Sequence, residues 1–172
     1  MLLNYLKGFL VKKRIKNSLL TERTIPSSKE IKTVGLLIDE NYFSEKKELI
    51  DQIVSNGILR EDIQVIVFKN RLSKSNSRDY PVFTPKSLNW KATIDNTAVT
   101  EFVNREFDLL ISYYDVEKAI LLLVTHLSKA DFKAGFASID KRLNDLMINS
   151  TAENHKVFVH ELFRYLKILN KI

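Results

Sequence analysis

The chain has 172 residues, 45% of them hydrophobic and 28% charged, which is typical of one globular domain with a full core. It contains no cysteine, which excludes disulfides, a thiolate zinc site and a cysteine nucleophile. The formal net charge is +6. Residues 1–32 hold 8 − 2 = +6 of it, and the rest of the chain, with 27 − 8 = 19 basic and 21 − 2 = 19 acidic residues, is neutral.

Residues 1–25 are predicted to form a basic N-terminal helical arm. At 100° per residue the apolar side chains of residues 2–10 share one face of a short amphipathic helix. Those side chains are Leu2, Leu3, Tyr5, Leu6, Phe9 and Leu10. The apolar stretch is shorter than the ~20 residues that span a bilayer, and its basic residues follow it, whereas those of a secretory signal precede it. We therefore predict neither export nor a transmembrane anchor, and a cytoplasmic location.

Three interpretations of this arm remain open. Its helix packs on the body with solvated lysines, or it lies in a membrane interface, or it docks on RNA such as a ribosomal surface. Dense basic residues and a short lipid-facing stretch favour RNA over an anionic membrane surface, at the ribosome or the inner membrane. The residues predicted to contact the anionic partner are Lys7, Lys12, Lys13, Arg14 and Lys16.

The body is predicted to be a single domain over residues 26–172, beginning at the linker Pro26-Ser27-Ser28. The apolar run 34–38 predicts a buried strand, Ser44 is the expected N-cap of the next helix, and 63–68 predicts a second strand. Strand, helix and strand within about 35 residues indicate a parallel pair joined by a right-handed crossover.

The second half continues this alternation. Residues 97–107 predict a helix, 109–112 a strand, 116–127 a helix that is apolar nearly all round, and 132–137 a strand. A short fifth strand at 146–148 and a helix over 152–168 close the chain. We therefore predict an α/β fold: a single Rossmann-like three-layer domain with a mainly parallel sheet of four to five strands. Trp90, in the irregular stretch 69–95, is predicted to plug the edge of the core.

A parallel sheet gathers the loops after its strands at one edge, where open α/β folds bind ligands. Carboxylates there can hold Mg²⁺ or act as an acid and base, and basic residues can take a phosphate. Taken singly, Asp115 is also well placed to cap its helix. The predicted ligand site comprises Asp39, Glu40, Tyr113, Tyr114, Asp115, Lys141, Arg142 and Asn144.

No motif fixes a reaction. The sequence lacks G-x-G-x-x-G after the first strand, G-x-x-x-x-G-K-[ST] and G-x-S-x-G. His126, His155 and His160 fall on predicted helices without a carboxylate or cysteine at ligand spacing. We therefore predict no metal, cofactor or catalytic residue, and we see no motif for sequence-specific DNA binding.

Four segments carry a resemblance that spans nearly the whole chain. They are Gly-Leu-Leu-Ile-Asp-Glu-Asn-Tyr-Phe (35–43), Leu-Asn-Trp (88–90), Asp-Leu-Leu-Ile-Ser-Tyr-Tyr-Asp-Val-Glu-Lys (108–118) and Val-Phe-Val-His-Glu-Leu-Phe-Arg-Tyr-Leu-Lys (157–167). Together they resemble a family of short uncharacterised proteins from Bacteroidetes. That family has no established activity, so the resemblance implies a cytoplasmic bacterial protein.

A second resemblance covers about a sixth of the chain. Phe107-Asp108-Leu109, the run 119–123 and Lys133-Ala134-Gly135-Phe136 resemble part of the N-terminal domain of heptosyltransferase-type glycosyltransferases. The resemblance implies an α/β fold. The sequence ends where the sugar-nucleotide-binding second domain of those enzymes would start, so the resemblance supports the fold and not a transferase activity.

The charge asymmetry favours a non-enzymatic cytoplasmic protein that docks through its basic arm on an anionic partner, ribosomal or other RNA ahead of a membrane surface. The alternative is a small-ligand-binding or enzymatic α/β domain with a nucleotide- or phosphate-type site at the strand ends.

Overall fold

A parallel β-sheet forms the centre of the fold in the computed structural model, which describes residues 2–19, 29–72 and 79–172. Within these ranges there are six strands and five α-helices. The strands are β1 (Val34–Asp39), β2 (Ile63–Phe68), β3 (Val82–Phe83), β4 (Leu109–Tyr113), β5 (Phe132–Phe136) and β6 (Leu146–Ile148). The helices are α1 (Leu2–Leu19), α2 (Lys46–Ser55), α3 (Thr97–Asn104), α4 (Ala119–Leu127) and α5 (His155–Ile168).

The sheet has the order β3-β2-β1-β4-β5-β6, and every neighbouring pair is parallel. The chain thus builds outward from β1 to one edge, returns to the centre at β4 and builds outward to the other edge. The central strands β1 and β4 are buried along their whole length, as their continuous apolar runs predict.

Helices cover both faces of the sheet, as two consecutive residues of β4 show. The Ser112 hydroxyl bonds to that of Thr125 on α4 at 3.0 Å, whereas the Tyr113 ring packs on Phe158 of α5 with centroids 5.1 Å apart. Side chains alternate between the faces of a strand, so α4 and α5 lie on opposite sides. Helix α2 contacts α5, and α1 and α3 contact α4.

The predicted strand count is wrong, because the described residues contain six strands where four to five were expected. The short strand at 146–148 is present as β6, and the additional strand is β3. Only two residues long, β3 pairs Val82 with Val67 and Phe83 with Phe68 at the sheet edge. Two residues following Pro81 cannot display the alternation by which a strand is recognised.

Helix starts also differ from the predictions. Glu45, not Ser44, occupies the N-cap position of α2, and its side chain makes no capping hydrogen bond. Helix α4 begins at Ala119 rather than at residue 116, so Lys118 stands at its N-cap and Asp115 lies outside the helix. Both helices thus begin later in the chain than predicted.

Helix α1 packs on α4 and extends to Leu19, so the basic cluster lies inside the helix rather than beyond it. Among its side chains at residues 7–17, those of Val11 and Ile15 are buried, 0% and 2% exposed; they lie one turn apart and join the main core. Phe9, one of the side chains predicted to share the apolar face, is 60% exposed. The side chains of residues 2–6 and the linker at 26–28 lie outside the described part. No helix in the described ranges is long and apolar enough to cross a membrane.

Candidate functional site

The two central strands, β1 and β4, lie side by side, and an ion pair lies at their carboxyl ends. Asp39 ends β1 and is 2% exposed. Its Oδ2 lies 2.5 Å from Nζ of Lys118, and its Oδ1 accepts the backbone N–H of Asn41 at 3.1 Å. The predicted carboxylate is therefore at the expected edge, but its oxygens already have internal partners.

Glu40, the next residue, is held between two lysines. Its Oε2 lies 2.8 Å from Nζ of Lys46 and its Oε1 lies 2.8 Å from Nζ of Lys69. Burial opposes ionisation of this carboxyl, but the hydrogen bonds from Lys46 and Lys69 outweigh it and lower the pKa of Glu40. It is therefore a charged link between loops rather than a proton donor at neutral pH.

The two predicted site tyrosines are core residues, with 0% and 1% exposure. The Tyr113 hydroxyl donates to the carbonyl of Ala152 at 2.7 Å, and the Tyr114 hydroxyl bonds to that of Thr125 at 2.8 Å. Burial raises the pKa of both phenols above the ordinary value. Both are thus neutral hydrogen-bonding groups of the interior.

The remaining charged residues of the predicted site also have partners or point away. Oδ2 of Asp115 accepts the backbone N–H of Ala152 at 2.8 Å, so it holds the segment before α5 and does not cap α4. Arg142 donates through Nε and Nη2 to Asp140, at 2.9 and 2.5 Å, and thereby lowers the pKa of that carboxyl. Lys141 is exposed.

Asn144 lies against Gly135 of β5. A Cβ at Gly135 would lie 2.7 Å from Nδ2 of Asn144, so the glycine is what admits this side chain. Asn144 is 9% exposed, and neither atom of its amide has a hydrogen-bond partner within the described residues. A buried amide without hydrogen-bond partners destabilises the fold, and this one lies against the β5 backbone at Gly135.

A cavity of about 300 Å³ lies beside these groups, at the carboxyl ends of β2 and β3. The residues that line it include Lys7 and Lys118. The predicted strand-end residues do not line it, but Lys7, predicted for the arm, does. Lys118 is the residue that sequence reasoning missed; its one signal was a cation directly before an apolar helix. The lining is completed by Phe68, Asn70, Pro85, Leu88, Ala119 and Ile120.

Three of the five predicted basic residues of α1 tie that helix to the body. Lys7 donates to the carbonyl of Leu88 at 2.6 Å, and Nη1 of Arg14 donates to the carbonyl of Ala92 at 2.7 Å. Lys12 forms an ion pair with Glu117 at 2.8 Å. These contacts, with the buried Val11 and Ile15, hold α1 in one position on the body.

The other two basic residues, Lys13 and Lys16, form what we call the outward basic face of α1. Both are exposed, and no hydrogen bond or ion pair of either side chain is found with the part of the chain that the structure describes. Three residues apart, they lie on the same side of the helix. Phe9, also exposed, stands on that side one turn before Lys13.

The histidines do not form a site. His126 lies near the end of α4, where burial, Lys133 and Arg14 lower its pKa. Nδ1 of His155 lies 3.2 Å from Oε2 of Glu45, a proximity across the fold that sequence spacing could not predict. Within the described ranges no three acidic or histidine side chains come together as a metal-binding group.

A family model, described as a family of unknown function (DUF6913), matches residues 7–169. The chain belongs to this family. The matched region starts within α1 and ends just after α5, so it includes both the docked helix and the sheet. The near full-length resemblance to a family without established activity is thereby confirmed, while the link to Bacteroidetes and that to glycosyltransferases stay predictions. Neither a search of curated proteins nor one of solved structures finds a match.

Proposed function

We propose that this protein is a non-enzymatic cytoplasmic binding protein that docks on RNA, such as a ribosomal surface, through the outward basic face of α1. The observation that supports this is that some cations of α1 bind the body of the protein, whereas others face solvent. Lys7, Lys12 and Arg14 have partners on the body, whereas Lys13 and Lys16 have exposed ammonium groups without a described partner. These two lysines are free to neutralise phosphates.

Docking of α1 on the body gives these charges a fixed position. Val11 and Ile15 are buried against α4, and the cations at the flanks of the helix add three further contacts. Lysines on a rigid element lose little backbone entropy when they meet phosphates, and RNA binding gains from the release of counterions. We expect such binding to be independent of sequence and steeply dependent on salt.

The packing of α1 favours RNA over a membrane surface. An interfacial helix buries a broad apolar face in lipid. Here the apolar pair Val11 and Ile15 is already buried against the body, and among the α1 side chains that the structure describes, residues 7–17, Phe9 is the one large apolar side chain that is exposed. Insertion into lipid would require α1 to leave the body, whereas contact with phosphates would not.

The experiment compares Lys13→Glu/Lys16→Glu with Lys47→Glu/Lys156→Glu in RNA binding. The control pair changes net charge by the same amount at exposed lysines of α2 and α5, on the opposite face of the sheet. Lys12 and Arg14 are left intact because their loss would loosen α1. We expect the first variant to lower RNA affinity at least ten-fold and to reduce the slope of log K against log salt by about 1 to 2.

Co-sedimentation with ribosomes and with vesicles that contain phosphatidylglycerol separates the two anionic surfaces. Binding to ribosomes that depends on Lys13 and Lys16, with no sedimentation of the protein on vesicles, supports the RNA proposal. Equal RNA affinity of the two double variants would refute it. Sedimentation on vesicles alone would replace RNA by the membrane surface.

A second candidate function is the binding of a nucleotide- or phosphate-type ligand at the strand ends. The strand order 3-2-1-4-5-6 is that of Rossmann dinucleotide-binding domains, and we propose a Rossmann-like classification for this fold. The cavity of about 300 Å³ with Lys7 and Lys118 in its lining lies at the edge where such folds bind ligands. The loop after β1 has no glycine to bring its backbone close to a pyrophosphate.

A thermal-shift screen with nucleotides and Mg²⁺ tests this candidate. Stabilisation that disappears in Lys7→Met and in Lys118→Met, but persists in Lys141→Met, would support a ligand in the cavity. Lys141 is exposed and lies outside the cavity lining, so its substitution is the matched loss of one charge. The candidate fails if no ligand shifts the wild-type melting temperature, or if the shift is equal in all three variants.

A further inference from the structure

Trp90, the one tryptophan of the sequence, lies at the tip of a surface turn and is 67% exposed. The prediction that it plugs the core is therefore wrong. The buried residues of this turn are instead Leu88 and Ala92, 5% and 3% exposed, on either side of it. Leu88 and Ala92 of this turn are thus buried in the core, whereas the larger Trp90 is exposed to solvent.

The turn that carries Trp90 is held by its own hydrogen bonds. Leu88 and Ile94 form an antiparallel bridge, and Oδ1 of Asn89 accepts the backbone N–H groups of Lys91 and Thr93, at 2.9 and 3.1 Å. Ala92 has φ of 55°, a left-handed conformation that is strained for a residue with a Cβ. The surrounding contacts stabilise this conformation, so the turn fixes the backbone at Trp90.

Two cations of α1 fix the same turn to the helix from behind. Lys7 donates to the carbonyl of Leu88 and Arg14 to that of Ala92, so the tryptophan stands between two anchored points. The ammonium of Lys91 lies 5.1 Å from the centroid of the Trp90 ring. An exposed indole thereby has one cation, Lys91, next to its ring, and its turn is bonded to α1, the helix that also carries the outward basic face.

We propose that Trp90 stacks on an unpaired base of the bound RNA, which makes single-stranded RNA the class of partner. This rests on the proposed function and deepens it. Proteins that bind single strands combine cations along the backbone with aromatic rings on which bases stack, and every base offers a flat face to such a ring. Bases inside a duplex stack on each other and are closed to a protruding indole. The anchored turn limits the entropy lost on stacking.

Intrinsic fluorescence tests the proposal directly, because Trp90 is the sole source of tryptophan emission. The full chain is titrated with an 18-nucleotide single strand, with the same strand annealed to its complement, and with an abasic ribose-phosphate strand of equal length. The abasic strand keeps the phosphates and removes the bases. We expect the single strand to quench the emission, and the duplex and abasic strands to bind with little quenching.

Variants at Trp90 give the second readout, by fluorescence anisotropy of labelled strands. Trp90→Ala is expected to weaken binding of the base-containing single strand about five- to a hundred-fold and to leave binding of the abasic strand unchanged. Trp90→Phe should recover part of the loss and Trp90→Leu should not, because only the former keeps a flat ring. Equal melting temperatures would confirm that all variants are folded.

The outcomes separate stacking from electrostatic docking. If Trp90→Ala binds the single strand as wild type does, or if the abasic strand quenches as strongly as the natural one, Trp90 does not stack. If Trp90 does not stack but Lys13→Glu/Lys16→Glu still lowers the RNA affinity, the stacking proposal is refuted and the proposed function is retained. If no strand binds to the wild-type chain at all, both are refuted.

Discussion

Lys118 and Asp39 form an ion pair at the centre of the sheet's carboxyl edge, with 2.5 Å between Nζ and Oδ2. The side chains are 18% and 3% exposed, so neither charge has much access to water. The ammonium also lies 4.6 Å from the ring centroid of Tyr42 and 4.8 Å from that of Phe68. The pair therefore joins the start of α4 to the end of β1, at the edge where open parallel α/β sheets bind ligands.

Removing both members of this pair should destabilise the protein by less than the sum of the two single losses. Lys118→Met leaves the buried Asp39 carboxylate without its cation and should cost about 3 kcal/mol in the free energy of unfolding. Asp39→Asn/Lys118→Met removes both charges, so its loss should be smaller than the sum of the single losses. Urea unfolding of the wild type, Lys118→Met, Asp39→Asn and the double variant gives the coupling energy between the two residues. Additivity within about 0.5 kcal/mol would show that the two residues do not act as a pair.

Substituting Gly35 in β1 should destabilise the fold, although glycine is a poor strand former. A Cβ there would lie 2.7 Å from Cδ2 of Phe107 and 3.1 Å from Cζ of Phe102, two rings buried in the core. We expect Gly35→Ala to cost about 1 to 3 kcal/mol through overpacking. Gly8→Ala is the control: it lies in α1 with nothing within 4 Å of the added Cβ and should stabilise by about 0.5 to 1 kcal/mol. Equal effects of the two variants in urea unfolding would contradict this.

The fold could be predicted from sequence where a strand consists of a continuous run of apolar residues. The central strands β1, β2 and β4 read as apolar runs because both of their faces are covered, and each was placed within a residue or two. Strand β3 could not be predicted, because its two residues are extended only by pairing with β2. The predicted apolar face of α1 ended at Leu10 and omitted Val11 and Ile15, which are set among lysines and are buried where α1 packs on α4.

The sequence predicted the location of the candidate site, but it did not predict which side chains contact each other there. Parallel topology brings Asp39 to the carboxyl edge, as expected, but its partner Lys118 is 79 positions away and sequence gives no register between them. Asp115 illustrates the same limit. Its position before a helix predicts a cap, whereas its carboxylate reaches the backbone of Ala152 on the far side of the sheet. Exposure of Trp90 depends likewise on which turn residues the core accepts.

Asp108 should make the protein sensitive to acid. Burial opposes its ionisation, but Lys29 at 2.6 Å and the N–H groups of Lys32 and Thr33, at 3.0 and 2.8 Å, lower its pKa to about 2. An aspartate in the unfolded chain titrates near 3.8. The unfolded state therefore binds the proton first as pH falls. The stability from this group is complete above about pH 4 and is lost towards pH 2, a loss of about 2 kcal/mol.

Unfolding by urea between pH 2 and 7, on the wild type and Asp108→Asn, isolates this contribution from those of other carboxylates. Asp108→Asn should be less stable at pH 7, and its difference from the wild type should shrink as pH approaches 2. Asp131→Asn, at an exposed aspartate just before β5, should follow the wild-type curve. A difference that stays constant from pH 7 to pH 2 would show that the lowered pKa of Asp108 is not the cause.

Lys133 should produce the opposite trend in alkali. Burial lowers the pKa of its ammonium from 10.5 to about 8, against a smaller rise from Asp145. The ammonium donates to the carbonyls of Thr125 and His126 at the end of α4, at 2.8 and 3.3 Å. Between pH 8 and 10.5 the unfolded chain keeps this proton while the folded chain loses it. The free energy of unfolding should therefore rise with pH in that window, by about 2 kcal/mol at most.

Urea unfolding between pH 7 and 10 measures the Lys133 contribution. The upper limit matters because burial raises the pKa of Tyr113 and Tyr114, so the unfolded chain loses those protons first and stability falls above about pH 10. Lys133→Met has no proton to lose and should show a flat profile from pH 8 to 10, whereas Lys129→Met, at an exposed lysine of the same region, should keep the wild-type rise. A rise that persists in Lys133→Met would assign the alkaline stabilisation to another group.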